Sequence, residues 1–226
     1  MFATLRHDLV VCSHATKNPQ VGSPVLGSLA RNHILETIDN MADAHPLQHT
    51  WVIWQHERNN DNKDENKEEL CEFSSVEDFW KAWNFTPKPS EIFYDGFSRK
   101  EEAGRYVGSL SLYKKGVNPD SRAASGNIRL TFSKPMSVEL LDLFWENGVL
   151  GLIGETIDEL NDINGYTIID HSIKGDVTHF SVELSMKTPS DAAVVDRVKE
   201  RWWKVLSDGV IRNVCKPTMS GIQQIQ

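Results

Sequence analysis

Between Val177 and Ser185, Thr178, Phe180, Val182 and Leu184 alternate with His179, Ser181 and Glu183. This alternation constrains the fold more than any other feature. Successive side chains of a strand point to opposite faces, so a period of two gives one apolar face and one polar face. Asn127-Ile-Arg-Leu-Thr-Phe132 repeats the pattern, and the spacing predicts a half-buried strand there. Thr50–Glu57 is aromatic and β-branched, and Tyr166–Asp170 and Asp208–Val214 read as further strands. One-faced strands belong to antiparallel sheets with a single packed face.

Three helical segments interrupt the strands. Ser75-Val-Glu-Asp78 has the spacing of a capping box and starts a helix over Val76–Phe85, with Phe79, Trp80 and Trp83 available to pack. Ser137 caps a second, with Leu140, Leu141, Phe144, Trp145 and Leu152 inward. Thr188-Pro-Ser-Asp191 reads as the cap of a third, which buries Val195, Val198, Trp202 and Leu206. Strands and helices do not alternate regularly, which argues against a doubly wound fold. The expected class is α+β, an antiparallel sheet with helices on one face and the other face open.

Residues 1–30 read as a flexible N-terminal arm, 31–216 as one α+β domain and 217–226 as a polar tail. Arg58–Glu69 is polar and rich in charge and reads as a loop, and residues 86–106, with Pro87, Pro89, Gly96 and Gly104, as a second long loop.

The formal net charge of −8 argues against a general DNA or RNA binder, which needs a basic face, but leaves room for a pocket holding one nucleotide and a few phosphates. Cys12, Cys71 and Cys215 form no C-x-x-C pair, so neither a zinc site nor a disulfide framework is indicated, and a reducing compartment, cytoplasm or nucleus, is expected. No membrane span is read, and no nucleophile, acid–base or metal motif, so no catalytic residue, metal or cofactor is expected. His171 and His179 lack a third ligand, and the acids of 61–69 lack the spacing of a calcium loop.

Four co-linear segments carry a more specific message: His45-Pro-Leu-Gln-x-x-Trp-x-x-Trp54, Val76-Glu-Asp-Phe-Trp80, Leu112-Tyr-Lys-Lys-Gly-Val-Asn-Pro119, and Phe144-Trp145 leading into Leu152-Ile-Gly-Glu155. Lys174-Gly-Asp176 and Arg197-Val-Lys-Glu-Arg201 extend the match. Together they resemble the translation initiation factor 4E family. The resemblance implies a curved antiparallel sheet like a cupped hand, with three helices on its convex back. It implies that the 7-methylguanosine 5′ cap of mRNA is held in the concave face and that a helical segment of a scaffold protein docks on the back.

The loops depart from the family pattern. In the family the methylated guanine lies between two Trp rings, one in the loop after the Trp-x-x-Trp strand and one after the Gly-x-x-Pro turn. The first position falls near Lys63 or Asp64 and the second among Asp120, Ser121 and Arg122. The acid that reads the guanine edge aligns with Arg122, and the phosphate-holding cations align near Asn127, Ser172 and Val177. Each stacking ring is worth ~1–3 kcal/mol on a cationic base, so losing both lowers affinity ~10²–10⁴-fold. Phe93, Tyr94, Phe97 and Tyr106 are candidate substitute rings, with Arg99, Lys100 and Arg105 for phosphate and Arg122 and Lys174 as further cap-binding candidates.

His45, Pro46, Val76, Trp80 and Leu150 match the family's partner groove, whereas Glu146 stands in place of Leu and Asn147 in place of an acid. The expectation is a cap-binding translation factor with a weakened pocket and a helical partner. The alternative is an interaction module or translational regulator that keeps the partner face and has largely lost the cap.

Overall fold

The computed structural model describes residues 44–59, 65–96, 98–119, 126–132, 136–172, 179–187, 191–208 and 218–223. The elements below all belong to the compact unit that begins at Pro46. In chain order they are β1 (Pro46–Asn59), β2 (Glu65–Ser75), α1 (Val76–Phe85), α2 (Pro89–Phe93), β3 (Tyr94–Asp95), β4 (Ser98–Arg99) and β5 (Arg105–Lys114). Then follow β6 (Asn127–Thr131), α3 (Val138–Ile153), β7 (Ile163–Asp170), β8 (Phe180–Met186), α4 (Ala192–Leu206) and β9 (Thr218–Gln223). Seven strands form one curved sheet in the order β2-β1-β5-β7-β8-β6-β9, and every pairing is antiparallel. The expected α+β class, an antiparallel sheet with helices, is the observed one.

Several boundaries differ from the sequence expectation. The polar stretch Arg58–Glu69 is not one long loop: β1 continues to Asn59, and β2 returns from Glu65 with Glu57 opposite Asn66 and His56 opposite Lys67. Backbone pairing suffices there because β2 is an edge strand, and the exposed charges of Glu68, Glu69 and Glu72 also deter a further strand from adding. Residues 86–106 likewise contain structure, namely α2 and the β3–β4 ladder. Here Ser90 anchors α2 by donating from its N and Oγ to Asp142, at 2.9 and 2.7 Å. The third long helix is capped by Asp191, whose carboxylate accepts from the Ala193 and Val194 amides, and Thr188 lies outside the described residues. Asp208 lies in a turn, 209–214 fall outside the described residues, and the last described strand is β9, within the stretch read as a polar tail. The arm expected over 1–30 also lies outside the described residues.

The core fills the helix-bearing face of the sheet. Trp51, Ile53, Leu110, Leu112, Ile128, Leu130, Ile168, Val182 and Leu184 form its floor, and Phe79, Phe144, Trp145, Val198 and Trp202 come down from the helices. An aromatic series ties the layers together. Trp83 stacks on Trp145 at 6.5 Å, Trp145 on Tyr166 at 5.8 Å, and Trp202 meets the Tyr166 edge at 6.3 Å. Each such pair adds about 0.5–1.5 kcal/mol beyond the area it buries.

Tyr166 approaches α3 closely, and two glycines allow α3 to lie against its neighbours. A Cβ on Gly148 would sit 2.3 Å from Tyr166 Cε1, and one on Gly151 would sit 2.6 Å from Ile157 Cδ1. The Tyr166 ring cannot yield easily, because its hydroxyl donates to the Phe144 carbonyl at 2.9 Å and its faces are packed. Gly→Ala in a helix ordinarily gains about 1 kcal/mol. Gly148→Ala is expected instead to lose about 1–3 kcal/mol through overpacking, read as a lower denaturant midpoint. A midpoint equal to or above that of the parent would show that the ring moves aside.

Candidate functional site

The register places a second, chemically distinct set of residues on the sheet face away from the helices. Along β1 that face carries Val52, Trp54, His56 and Arg58, alternating with the core residues Trp51 and Ile53. Trp54 pairs with Ser111, Ser111 with Thr167, Thr167 with Glu183, and Glu183 with Arg129. One step along, His56 pairs with Ser109, Ser109 with Ile169, and Ile169 with Ser181. The expected one-faced strands are therefore present, but their polar sides are buried rather than washed by solvent. Ser109, Ser111, Thr167, Ser181 and Glu183 are all at most 2% exposed.

Hydrogen bonds order this face. His56 Nε2 and Ser111 Oγ lie 2.8 Å apart, and His171 Nε2 and Ser181 Oγ 2.7 Å. The Glu183 carboxylate accepts from Arg129 Nε at 2.5 Å and from the Asn127 carboxamide at 3.3 Å. Among the described residues, Ser109 Oγ, Asn127 Oδ1 and Trp54 Nε1 are buried without a hydrogen-bond partner. Orphaned buried polar atoms are costly and commonly mark a place where a ligand or water belongs. Burial holds the His171 pKa below its ordinary value, helped by the nearby Arg129 and Arg58 charges.

At the end of the sheet a buried lock organises the 94–106 region. Tyr94 donates its hydroxyl to Asp170 Oδ1 at 2.8 Å, Arg99 Nε donates to Asp170 Oδ2 at 3.0 Å, and the Ser172 amide donates to Oδ1 at 3.0 Å. Burial first, and the Asp170 charge second, raise the Tyr94 pKa. Arg99 also lies 4.1 Å above the Tyr106 ring, and Arg105 Nε is 3.5 Å from Glu57 Oε2.

These positions correct part of the sequence reading. Phe93 is 0% and Tyr94 6% exposed, so neither ring offers a stacking face: the segment carries an apolar pair that the core consumes. Arg99 is held by Asp170 with its side chain 12% exposed, Arg105 pairs with Glu57 but keeps its side chain 42% exposed, and Phe97, Arg122 and Lys174 lie outside the described residues. The sequence reading missed His56, Ser109, Arg129 and Glu183 as site residues, although period-two alternation already put Arg129 and Glu183 on polar faces.

Of the candidate partner-binding residues, Val76 and Trp80 on α1 and Glu146 and Leu150 on α3 are half-buried, and His45 and Pro46 are exposed. Trp80 meets Phe79 edge-on at 4.9 Å, while Phe79 itself is 1% exposed. Asn147 does not face a groove. It is 2% exposed and donates to the Leu206 and Asp208 carbonyls at 3.2 and 2.9 Å, tying α3 to the end of α4.

The family model described as eukaryotic initiation factor 4E matches residues 46–213. The Candida albicans eukaryotic translation initiation factor 4E is 28% identical over 151 residues, covering 62% of this chain and 66% of that protein. The human protein of the same name is 28% identical over 138 residues, 58% of each chain, and Drosophila melanogaster 4E1 is 29% identical over 66% of this chain and 54% of its own. The chain thus spans just over half to about two thirds of these relatives' lengths. Among solved structures, C. elegans eIF4E-3 in complex with the 4E-binding protein Mextli has a TM-score of 0.59 at 20% identity, covering 79% of this chain and 94% of that one. Ascaris suum eIF4E-3 with an m2,2,7G cap has a TM-score of 0.58 at 20% identity, covering 79% and 92%.

Proposed function

Because this chain belongs to the eukaryotic initiation factor 4E family, we propose that it is a non-enzymatic, cytoplasmic cap-binding protein of translation initiation. It takes the 7-methylguanosine 5′ cap of mRNA on the sheet face opposite the helices and docks a helical partner segment on the helix side. The observation that carries this reading is the polar sheet face, with its orphaned Ser109, Asn127 and Trp54 atoms, in a family-matched chain. The cap-bound Ascaris protein and the Mextli-bound C. elegans protein, which share the fold, support the two halves of it.

The pocket is weakened relative to a two-Trp sandwich. Neither 58–69 nor 119–126 contains an aromatic residue, and the burial of Phe93 and Tyr94 removes two of the substitute rings. That burial also favours the second reading, an interaction module that keeps the partner face and has largely lost the cap. Titration with 7-methylguanosine triphosphate, followed by Trp fluorescence, separates them. Saturable quenching is expected, ~10²–10⁴-fold weaker than a two-ring site allows. A low-micromolar or tighter dissociation constant overturns the weakened pocket. No saturable change at millimolar ligand supports the interaction module.

A further inference from the structure

α3 is apolar on the side where the other two long helices are charged. On α1 and α4 the outward faces carry cation–anion pairs, Lys81 with Asp78, Lys199 with Asp196 and Arg201 with Glu159. α3 has the acids Glu139, Asp142 and Glu146 and no Lys, Arg or His. Asp142 is taken up by Ser90 of α2. Opposite the buried face of Leu141, Trp145, Gly148 and Leu152 runs the stripe Glu139, Leu143, Glu146 and Leu150, on neighbouring turns at i,i+4 and i,i+3 spacing. Leu143, Glu146 and Leu150 are half-buried, and no cation among the described residues pairs with Glu146. Asn147, one residue on, points inward to the Leu206 and Asp208 carbonyls, so Glu146 is the charge presented at the middle of the stripe. A helix face of two leucines around one carboxylate is neither core nor the polar face that a solvated helix shows.

We propose that Glu146 selects the partner helix by charge: the Leu143–Glu146–Leu150 stripe of α3 takes an amphipathic helix that carries a Lys or Arg beside its apolar residues. The inference rests on the partner-docking reading and deepens it by naming the partner's chemistry. Leu143 and Leu150 suit apolar anchors one to two turns apart on the incoming helix. Covering the stripe strips water from the Glu146 carboxylate, a cost that a cation on the partner offsets. The stem of a Lys or Arg can lie along the leucines while its head reaches the carboxylate. An acidic helix meets a like charge instead, so Glu146 rejects partners as well as choosing them. A second copy of this chain is disfavoured for the same reason, because a twofold pairing of α3 sets the stripe of Glu139 and Glu146 against itself.

Fluorescence anisotropy of the full chain with two synthetic helical peptides tests the assignment. Both peptides carry Leu at i, i+3, i+4 and i+7, and the positions flanking that stripe are Lys in one and Glu in the other. The parent protein should bind the Lys peptide at least about tenfold more tightly than the Glu peptide. Glu146→Lys should abolish or reverse that preference. Glu68→Lys makes the same change of net charge on the exposed β2 edge and should keep the preference within about threefold of the parent. Thermal melting checks that both variants are folded. Equal responses to the two substitutions would reduce the preference to net charge and overturn the role of Glu146. If the peptides bind equally and Trp80→Ala weakens both, the docking reading stands and the charge selection falls. No binding of either peptide at millimolar concentration overturns both. A dimer of the parent in sedimentation that Leu150→Lys dissolves would put a second copy on the stripe and overturn the proposal.

Discussion

Lys114→Met is expected to destabilise the protein by about 3–5 kcal/mol, a large part of the ~5–15 kcal/mol that holds a domain together. Lys114 ends β5 with its ammonium buried, donating to Asp158 Oδ2 at 2.8 Å, Asn161 Oδ1 at 2.6 Å and the Ile163 carbonyl at 2.6 Å. The Asp158 carboxylate also accepts from the Asp162 and Ile163 amides, so one ion pair shapes the turn that leads from α3 into β7. Burial pulls the Lys114 pKa down while the Asp158 hydrogen bond and charge oppose the shift, as expected of a cation kept charged in a dry site only by its partners. Methionine preserves the stem but leaves Asp158 buried without its counter-ion. Denaturant unfolding should show a lower midpoint at unchanged slope. The Lys114→Met/Asp158→Asn double variant should lose less than the sum of the two single losses. A loss under about 1 kcal/mol for Lys114→Met would show that solvent reaches the pair.

Trp80→Ala is expected to remove at least about 2 kcal/mol of partner affinity, roughly 30-fold, with the sheet still folded. Phe79 and Trp80 are neighbours on α1, so their side chains leave the axis about 100° apart. Phe79 fills the core at 1% exposure, while Trp80 is half-buried against the edge of the core. A fully buried aromatic costs about 3–5 kcal/mol of stability when truncated, and the half-buried Trp80 should cost less. Binding to a 4E-binding-protein peptide and thermal melting, measured on one preparation, separate docking from packing. A broad, early melt with proportionate loss of binding would make Trp80 ordinary core. Unchanged peptide affinity would move the docking surface elsewhere.

The α+β class and three of the four helices were legible in the sequence because both are local patterns. Period two in 127–132 and 177–185, and caps at Ser75 and Ser137, depend on side chains within one or two turns of each other. β2 was hidden because an edge strand needs no apolar alternation: its stability comes from backbone pairing with β1, in a register that joins Arg58 to Glu65 and Trp51 to Phe73. The short α2 was hidden for a similar reason, since its anchor is Asp142, 52 residues further on.

For function the division runs along the same line. Sequence alone determined the family resemblance, the missing aromatics in the two loops and the aromatic face of the first helix, all of which are matters of residue identity and spacing. Tertiary structure decided which rings and charges are available. It placed Phe93 and Tyr94 inside, committed Arg99 to Asp170 and made Asn147 a tie between helices. It also lined up Trp54, Ser111, Thr167, Glu183 and Arg129, from five strands, in one row of a single face. Availability depends on what each side chain meets across the sheet or between layers, and those neighbours lie dozens of residues away, where no local pattern reaches.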